Sequence, residues 1–212
     1  MVFRLVSLIT IAASIFLVFS KLKAVKISPN VIWLILIQDF QSNLFNDWRN
    51  KSISIYQRTK ITVAHLCGFL FLFLFLTGFL PVVFGYQMSG LFLIIHVKVA
   101  LLMSIVIVLF VFLYSNGNQL SVHEVQKLFY DIKTNASVDA QIVLKVFYWL
   151  IVALILPAML SIILMLYPLF GTEGLDFLAD VHRWSVLLIT ICVIFVQYFR
   201  IILINTDKTK GV

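Results

Sequence analysis

The chain has 212 residues, of which 62% are hydrophobic and only 12% are charged. A soluble domain is about half apolar and about a quarter charged. So much apolar surface cannot be hidden in one core of this size, so lipid must solvate most of it. The net charge of +7 sits in short segments flanking apolar runs, where it sets orientation; it is no sign of nucleic-acid binding.

A spanning helix needs about 20 mostly apolar residues. The run 5–19 is shorter and opens on Arg4, as a signal peptide would. It reads as a short first span, lengthened by Lys21 snorkelling to the interface. The segment 31–48 is apolar at first and mixed afterwards. It fits an interfacial helix with Trp33 and Trp48 near headgroups, or a loop and helix packed on a partner. Runs 61–85, 91–115, 144–167 and 182–204 are each long enough to span, too long for strands and too apolar for surface helices. Loops 86–90 and 168–181 are short, which makes neighbouring helices antiparallel. Pro81 and Pro168 are expected to mark span ends, and the interior Pro157 predicts a kink.

The expected fold is therefore an all-α membrane protein, a bundle of about five transmembrane helices. Residues 1–57 supply an N-terminal span and a cytoplasmic or interfacial segment; residues 58–212 supply a four-helix core. Cys67 and Cys192 fall inside apolar runs and read as small buried hydrophobes.

Charge assigns the sides. Segment 20–60 carries Lys21, Lys23, Lys26, Arg49, Lys51, Arg58 and Lys60 against Asp39 and Asp47. Loop 116–143 and the tail add Lys127, Lys133, Lys208 and Lys210 on the same side, with Arg200 near the last span's end. On the other side, loop 86–90 is uncharged and loop 168–181 holds Glu173, Asp176 and Asp180 without a base. The positive-inside rule makes the basic side, with the C-terminus, cytoplasmic. The N-terminus is then outside, with Arg4 in weak opposition.

Three of the four histidines fall in or at the ends of spans, where ionisable groups are expensive and usually functional. His96 lies about two turns into its span from the outer end, and His182 at the outer start of the last. These helices run the same way, so both imidazoles reach the outer half of the bundle. Two histidines from facing helices suit a b-type haem, which transfers electrons when both axial positions are filled. Lys98 and Arg183 stand beside them, and haem propionates would meet their charge; loop carboxylates such as Asp180, or plain snorkelling, would account for them too. His65, near the inner end of its span, is left open between a second haem, a quinone carbonyl and a neighbouring helix. His123, in SVHEVQKLFYDIK, reads as solvated surface.

No Walker lysine loop, HExxH, CxxC pair or GxGxxG occurs, and the spans lack carboxylates, which disfavours a proton-coupled transporter.

The stretch RTKITVAHLCGFLFLFLFLTGFLP, with Arg58, His65, Thr77 and Gly78, resembles the first core helix of the bacterial cytochrome b561 and nickel-iron hydrogenase cytochrome b group. IIHVKVALL, with His96, and VHRWSVLLI, with His182, resemble later helices of that group, over about residues 58–204. Two-haem members carry a second histidine on the last core helix about four turns on; Val196 and Gln197 occupy that region here. The resemblance implies one haem b on His96 and His182. It leaves His65 without a partner and puts the second haem, with the quinone site beside it, in doubt.

The function expected from these residues and the resemblance is electron transfer. The chain would be a subunit of an oxidoreductase complex in a bacterial inner membrane, not a stand-alone enzyme. Electrons would pass between a quinone pool and a periplasmic cytochrome c or dehydrogenase partner, docked near the acidic loop 168–181. The alternative is a non-haem scaffold or assembly subunit of a larger complex.

Overall fold

The structure is a computed structural model, and it describes residues 2–25, 27, 32, 53–86, 88–134, 136, 138–167 and 169–210. Apart from residue 32, the interfacial segment expected over 31–48 lies outside the described residues, as does the span end expected at Pro168. In chain order the helices are α1 (Val2–Ala24), α2 (Ile55–Phe84), α3 (Gly90–Tyr114), α4 (Val122–Lys133), α5 (Ala140–Met165) and α6 (Gly171–Lys210). Among the described residues there is no strand, and all of these helices except α4 are long and apolar enough to cross a membrane. The chain is an all-α, multi-pass membrane protein. At most 28% of the apolar stretch of any span is buried, so the bilayer, not a packed core, takes up most of the apolar side chains.

The described residues form two compact units. The first joins the start of α1, through Thr10, to α2 and α3. Ser54 opens α2 by accepting the backbone N–H of Gln57 at 3.2 Å. At that end Tyr56 Oη donates to the Leu113 carbonyl (3.3 Å) and Tyr114 Oη to the Lys60 carbonyl (3.1 Å). Lys60 Nζ sits 4.4 Å from the centre of the Tyr114 ring. At the other end Thr77 meets His96. The start of α2 thus faces the end of α3, so the two are antiparallel, as the short loop requires.

Within α2, Phe75–Phe79 form a π-helical turn, with the Leu80 N–H bonded to the Phe75 carbonyl. Pro81 explains it. Proline has no N–H to donate and its ring crowds the carbonyl four residues back, here that of Thr77; a wider turn relieves both problems. The span therefore passes through Pro81, where an end was expected, and stops at Phe84. There Gly85 takes a left-handed φ of 92°. Arg4 Nη2 donates to the Gly85 carbonyl at 3.4 Å, and a Cβ on Gly85 would lie 2.6 Å from Arg4 Nη1. Phe3 packs edge-on against Phe79, with centroids 6.1 Å apart. The start of α1 and the end of α2 therefore share one end of the unit, and the Arg4 cation complements the helix C-terminus.

The second unit holds the rest of α1 with α4, α5 and α6. The first span exceeds its apolar run at both ends, with Lys21 and Lys23 in its last turn. Ser121 and Glu124 form a reciprocal capping box at the start of α4. Asp139 caps α5, accepting from Gln141 N at 3.0 Å. Near the start of α5, Phe147 stacks on Phe195 (6.0 Å) and lies 6.1 Å from Phe199, both late in α6. Near its end the Ala158 carbonyl meets His182, early in α6. These two helices are antiparallel as well, and Pro157 lies inside α5, which runs on to Met165.

The last helix begins at Gly171, eleven residues before the expected start at His182. Its first turns, GTEGLDFLAD, are too polar to read as a span. Yet Leu178 is buried, and Glu173 in the first turn favours helix formation there. The acidic segment is thus the opening of α6 and not a loop.

Candidate functional site

The three in-span histidines each hold Nδ1 against a protein oxygen. Thr77 Oγ1 donates its single hydrogen to the Phe73 carbonyl at 2.8 Å. The same oxygen lies 3.0 Å from His96 Nδ1. Having given up its hydrogen, the hydroxyl can only accept, so the neutral His96 ring carries its proton on Nδ1. His182 Nδ1 lies 3.0 Å from the Ala158 carbonyl and His65 Nδ1 2.8 Å from the Ile61 carbonyl. A carbonyl cannot donate, so the same tautomer follows for both. In all three rings Nε2 is the nitrogen with the lone pair. Metal-ligating histidines are held in this way, with the second nitrogen fixed by an oxygen so that ring orientation and basicity are set.

The fold places each ring differently. His96, on α3, is buried six residues from the helix start, about 9 Å. It packs closely against α2 because Gly78 has no side chain: a Cβ there would come within 2.9 Å of both ring nitrogens and closer still to Cε1. Beside Thr77 a groove of about 440 Å³ opens between Pro81, Phe84, Tyr86, Met88 and Phe92. It is lined mostly by apolar side chains.

His182 is half-buried and lies three turns inside α6 rather than at its start. Its acceptor, the Ala158 carbonyl, also takes the Ser161 hydroxyl at 2.9 Å. His65 sits ten residues into α2, about 15 Å, because that helix starts earlier than the apolar run. His123 is exposed, as expected.

The cations fall apart from the rings. Lys98 is exposed while His96 is buried, since two residues along a helix turn about 200°. The two do not address one ligand from a single face of α3. Arg183 Nη1 pairs with Asp180 Oδ1 at 2.9 Å, with both side chains well exposed. A carboxylate of this chain, one turn back, already meets that charge.

His65 and His96 belong to the first unit, and His182 and Arg183 to the second. Among the described residues no three of His, Cys, Asp and Glu gather as a metal-binding group. A porphyrin brings four nitrogens of its own and asks the protein for no more than two ligands, so a haem needs no such three-residue group. The roles of Thr77 and Gly78 come from packing across two helices; no spacing rule exposes them. The Ala158 carbonyl leaves no trace in the sequence at all. No family model matches the chain, and no curated protein or solved structure matches it.

Proposed function

We propose that this chain is a membrane cytochrome b, the haem-carrying subunit of an electron-transfer complex in a bacterial inner membrane. His96 and His182 would hold a haem b near the periplasmic face. Electrons pass between a quinone pool and a redox partner outside. The observation that carries the reading is the shared tautomer: each imidazole has Nδ1–H anchored on a protein oxygen and Nε2 set as a Lewis base. A haem with both axial positions filled supplies a one-electron couple and leaves no position for oxygen.

The chain's own part is to hold and shield. Thr77 and the Ala158 carbonyl fix the rings, Gly78 admits the His96 ring, and apolar helices exclude water, which tunes potential. Exposed Glu173 and Asp176, in the opening turns of α6, suit a basic docking face on a periplasmic cytochrome c or a dehydrogenase module. His65 has the same tautomer, whose Nε2 lone pair suits a metal such as a second haem iron and not the hydrogen bond that a quinone carbonyl needs. By the positive-inside rule the C-terminus is cytoplasmic.

A second reading, a non-haem scaffold subunit, draws on the same bonds. Thr77–His96 joins α2 to α3, and His182–Ala158 joins α5 to α6. Reduced-minus-oxidised absorbance of the purified protein separates the two. The cytochrome gives a sharp α-band that His96→Ala and His182→Ala abolish and His123→Ala leaves intact. A wild-type protein without a band, after expression with ample haem, removes the cytochrome reading and favours the scaffold.

A further inference from the structure

Helix α4 presents three faces. At about 100° per residue, Glu124, Lys127 and Asp131 fall within about 60° of one another. His123, Gln126, Tyr130 and Lys133 form a second, polar group. Val125, Leu128, Phe129 and Ile132 form the third, at the i, i+3, i+4, i+7 spacing of an apolar stripe. The first face is turned to the protein. Glu124 Oε1 pairs with Lys145 Nζ at 2.6 Å, Lys127 Nζ with Asp139 Oδ2 at 3.0 Å, and Asp131 is buried.

This reverses the usual arrangement, in which a surface helix turns its apolar stripe to the core. Here Phe129 is 69% and Ile132 59% exposed, while Val125 and Leu128 are half-buried. In water that stripe would be a liability.

The partners on α5 say what covers it. Asp139 caps α5, Lys145 lies in its second turn, and Trp149 Nε1 donates to the Asn118 carbonyl at 2.8 Å. Lys145 Nζ also donates to the Gln119 carbonyl at 3.1 Å. These anchors cover ten residues, about 15 Å, of a helix that crosses the membrane. The α4 segment is therefore held beside the first turns of the span, not beyond its end. Charged Asp139 and Lys145 at the start of a span belong at the level of the headgroups, where tryptophans also collect.

We propose that α4 is an interfacial anchor, with Phe129 and Ile132 immersed at the boundary of headgroups and acyl chains and Val125 and Leu128 at the edge of that contact. Its occupant is phospholipid. The two ion pairs fix its roll, so the polar face of His123 and Gln126 looks to water. Such a helix would set the depth and tilt of α5. This inference does not depend on the haem.

The test uses the full chain with Cys67→Ala and Cys192→Ala, reconstituted in phosphatidylcholine–phosphatidylglycerol vesicles. Single nitroxide labels are placed through Phe129→Cys, Ile132→Cys, His123→Cys and Gln126→Cys. Power saturation with oxygen and with a water-soluble nickel chelate should give oxygen-to-nickel ratios several-fold higher at 129 and 132 than at 123 and 126. Equal nickel access at all four sites overturns the proposal. So does shielding of 129 and 132 from both relaxants, which would mean a protein partner covers the stripe. A second measurement needs no substitution: the wild-type chain is irradiated in vesicles containing a diazirine-bearing phosphatidylcholine. Lipid adducts are expected on Val125 to Ile132, and their absence there, with adducts present on the spans, overturns it as well.

Discussion

Replacing Gly78 by alanine tests the placement of the His96 ring without any cofactor. The added Cβ would stand 2.9 Å from both ring nitrogens, where ordinary contact starts at 3.4 Å. The imidazole must retreat by at least 0.5 Å, and by more at Cε1. That retreat disturbs the 3.0 Å bond to Thr77, which has only about 0.5 Å of slack before it is lost. Overpacking of this kind costs about 1–3 kcal/mol, which for a chain of this size lowers the melting temperature by about 2–12 °C. Gly68→Ala is the control on the same helix. Nothing lies within 4 Å of its Cβ, and alanine in a helix interior is favoured over glycine by up to about 1 kcal/mol. Thermal unfolding of both variants in one detergent should separate them, with Gly78→Ala below wild type and Gly68→Ala level or above. The α-band of Gly78→Ala should weaken in parallel. If the two variants melt alike, the ring does not lie against Gly78 and the support for its orientation fails.

Further outcomes follow from the same contacts. Thr77→Val should weaken haem retention about 10–100-fold by removing the acceptor of His96 Nδ1–H, and Thr77→Ser should restore it; haem-transfer rates to apomyoglobin measure both. Ser121→Ala removes the capping box, at a cost of about 0.5–2 kcal/mol to α4, and should speed amide exchange over 122–133. The Glu124 carboxyl is held down to about 2 from 4.5, first by the Lys145 ammonium and then by the Ser121 N–H. Asp139 is lowered chiefly by Lys127, and Lys127 is raised by Asp139. Depressed carboxyls stabilise fully above their unfolded values and lose the contribution as pH falls through the folded ones; a raised amine loses its contribution as pH climbs past 10.5. A label on Phe129→Cys should therefore stay ordered at neutral pH and loosen between about pH 4.5 and 2, and again in strong alkali. Loosening near pH 6 would contradict the clamp.

The membrane-spanning helices were legible because hydropathy over 20 residues is a strong signal and lipid leaves few alternatives to a helix. Their ends were not. The opening of α6 carries Glu173, Asp176 and Asp180, so it reads as loop even though Leu178 is buried beneath it. Helix α4 was hidden in the connection 116–143, although Ser121-x-x-Glu124 is a visible capping signature. Pro81 read as a stop because the π turn that accommodates it has no composition of its own. Among the candidate residues, the importance of in-span histidines was readable from cost alone. Their acceptors were not, since Thr77 meets His96 only after α2 and α3 pack. That Lys98 and His96 look opposite ways was readable all along, from two steps of helix geometry.

The wide turn at Phe75–Phe79 divides α2 into two segments whose rotational phase is not shared. Upstream residues such as Tyr56 and Lys60 grip the far end of α3, while downstream ones receive Arg4 at Gly85. Ordinary α winding through the same residues, without the wide turn, would swing everything beyond it by about 100°. Arg4 would then face a different side of the helix, and the proline would meet a carbonyl it cannot pass. The extra residue in that coil is thus what allows one helix to keep two appointments at once.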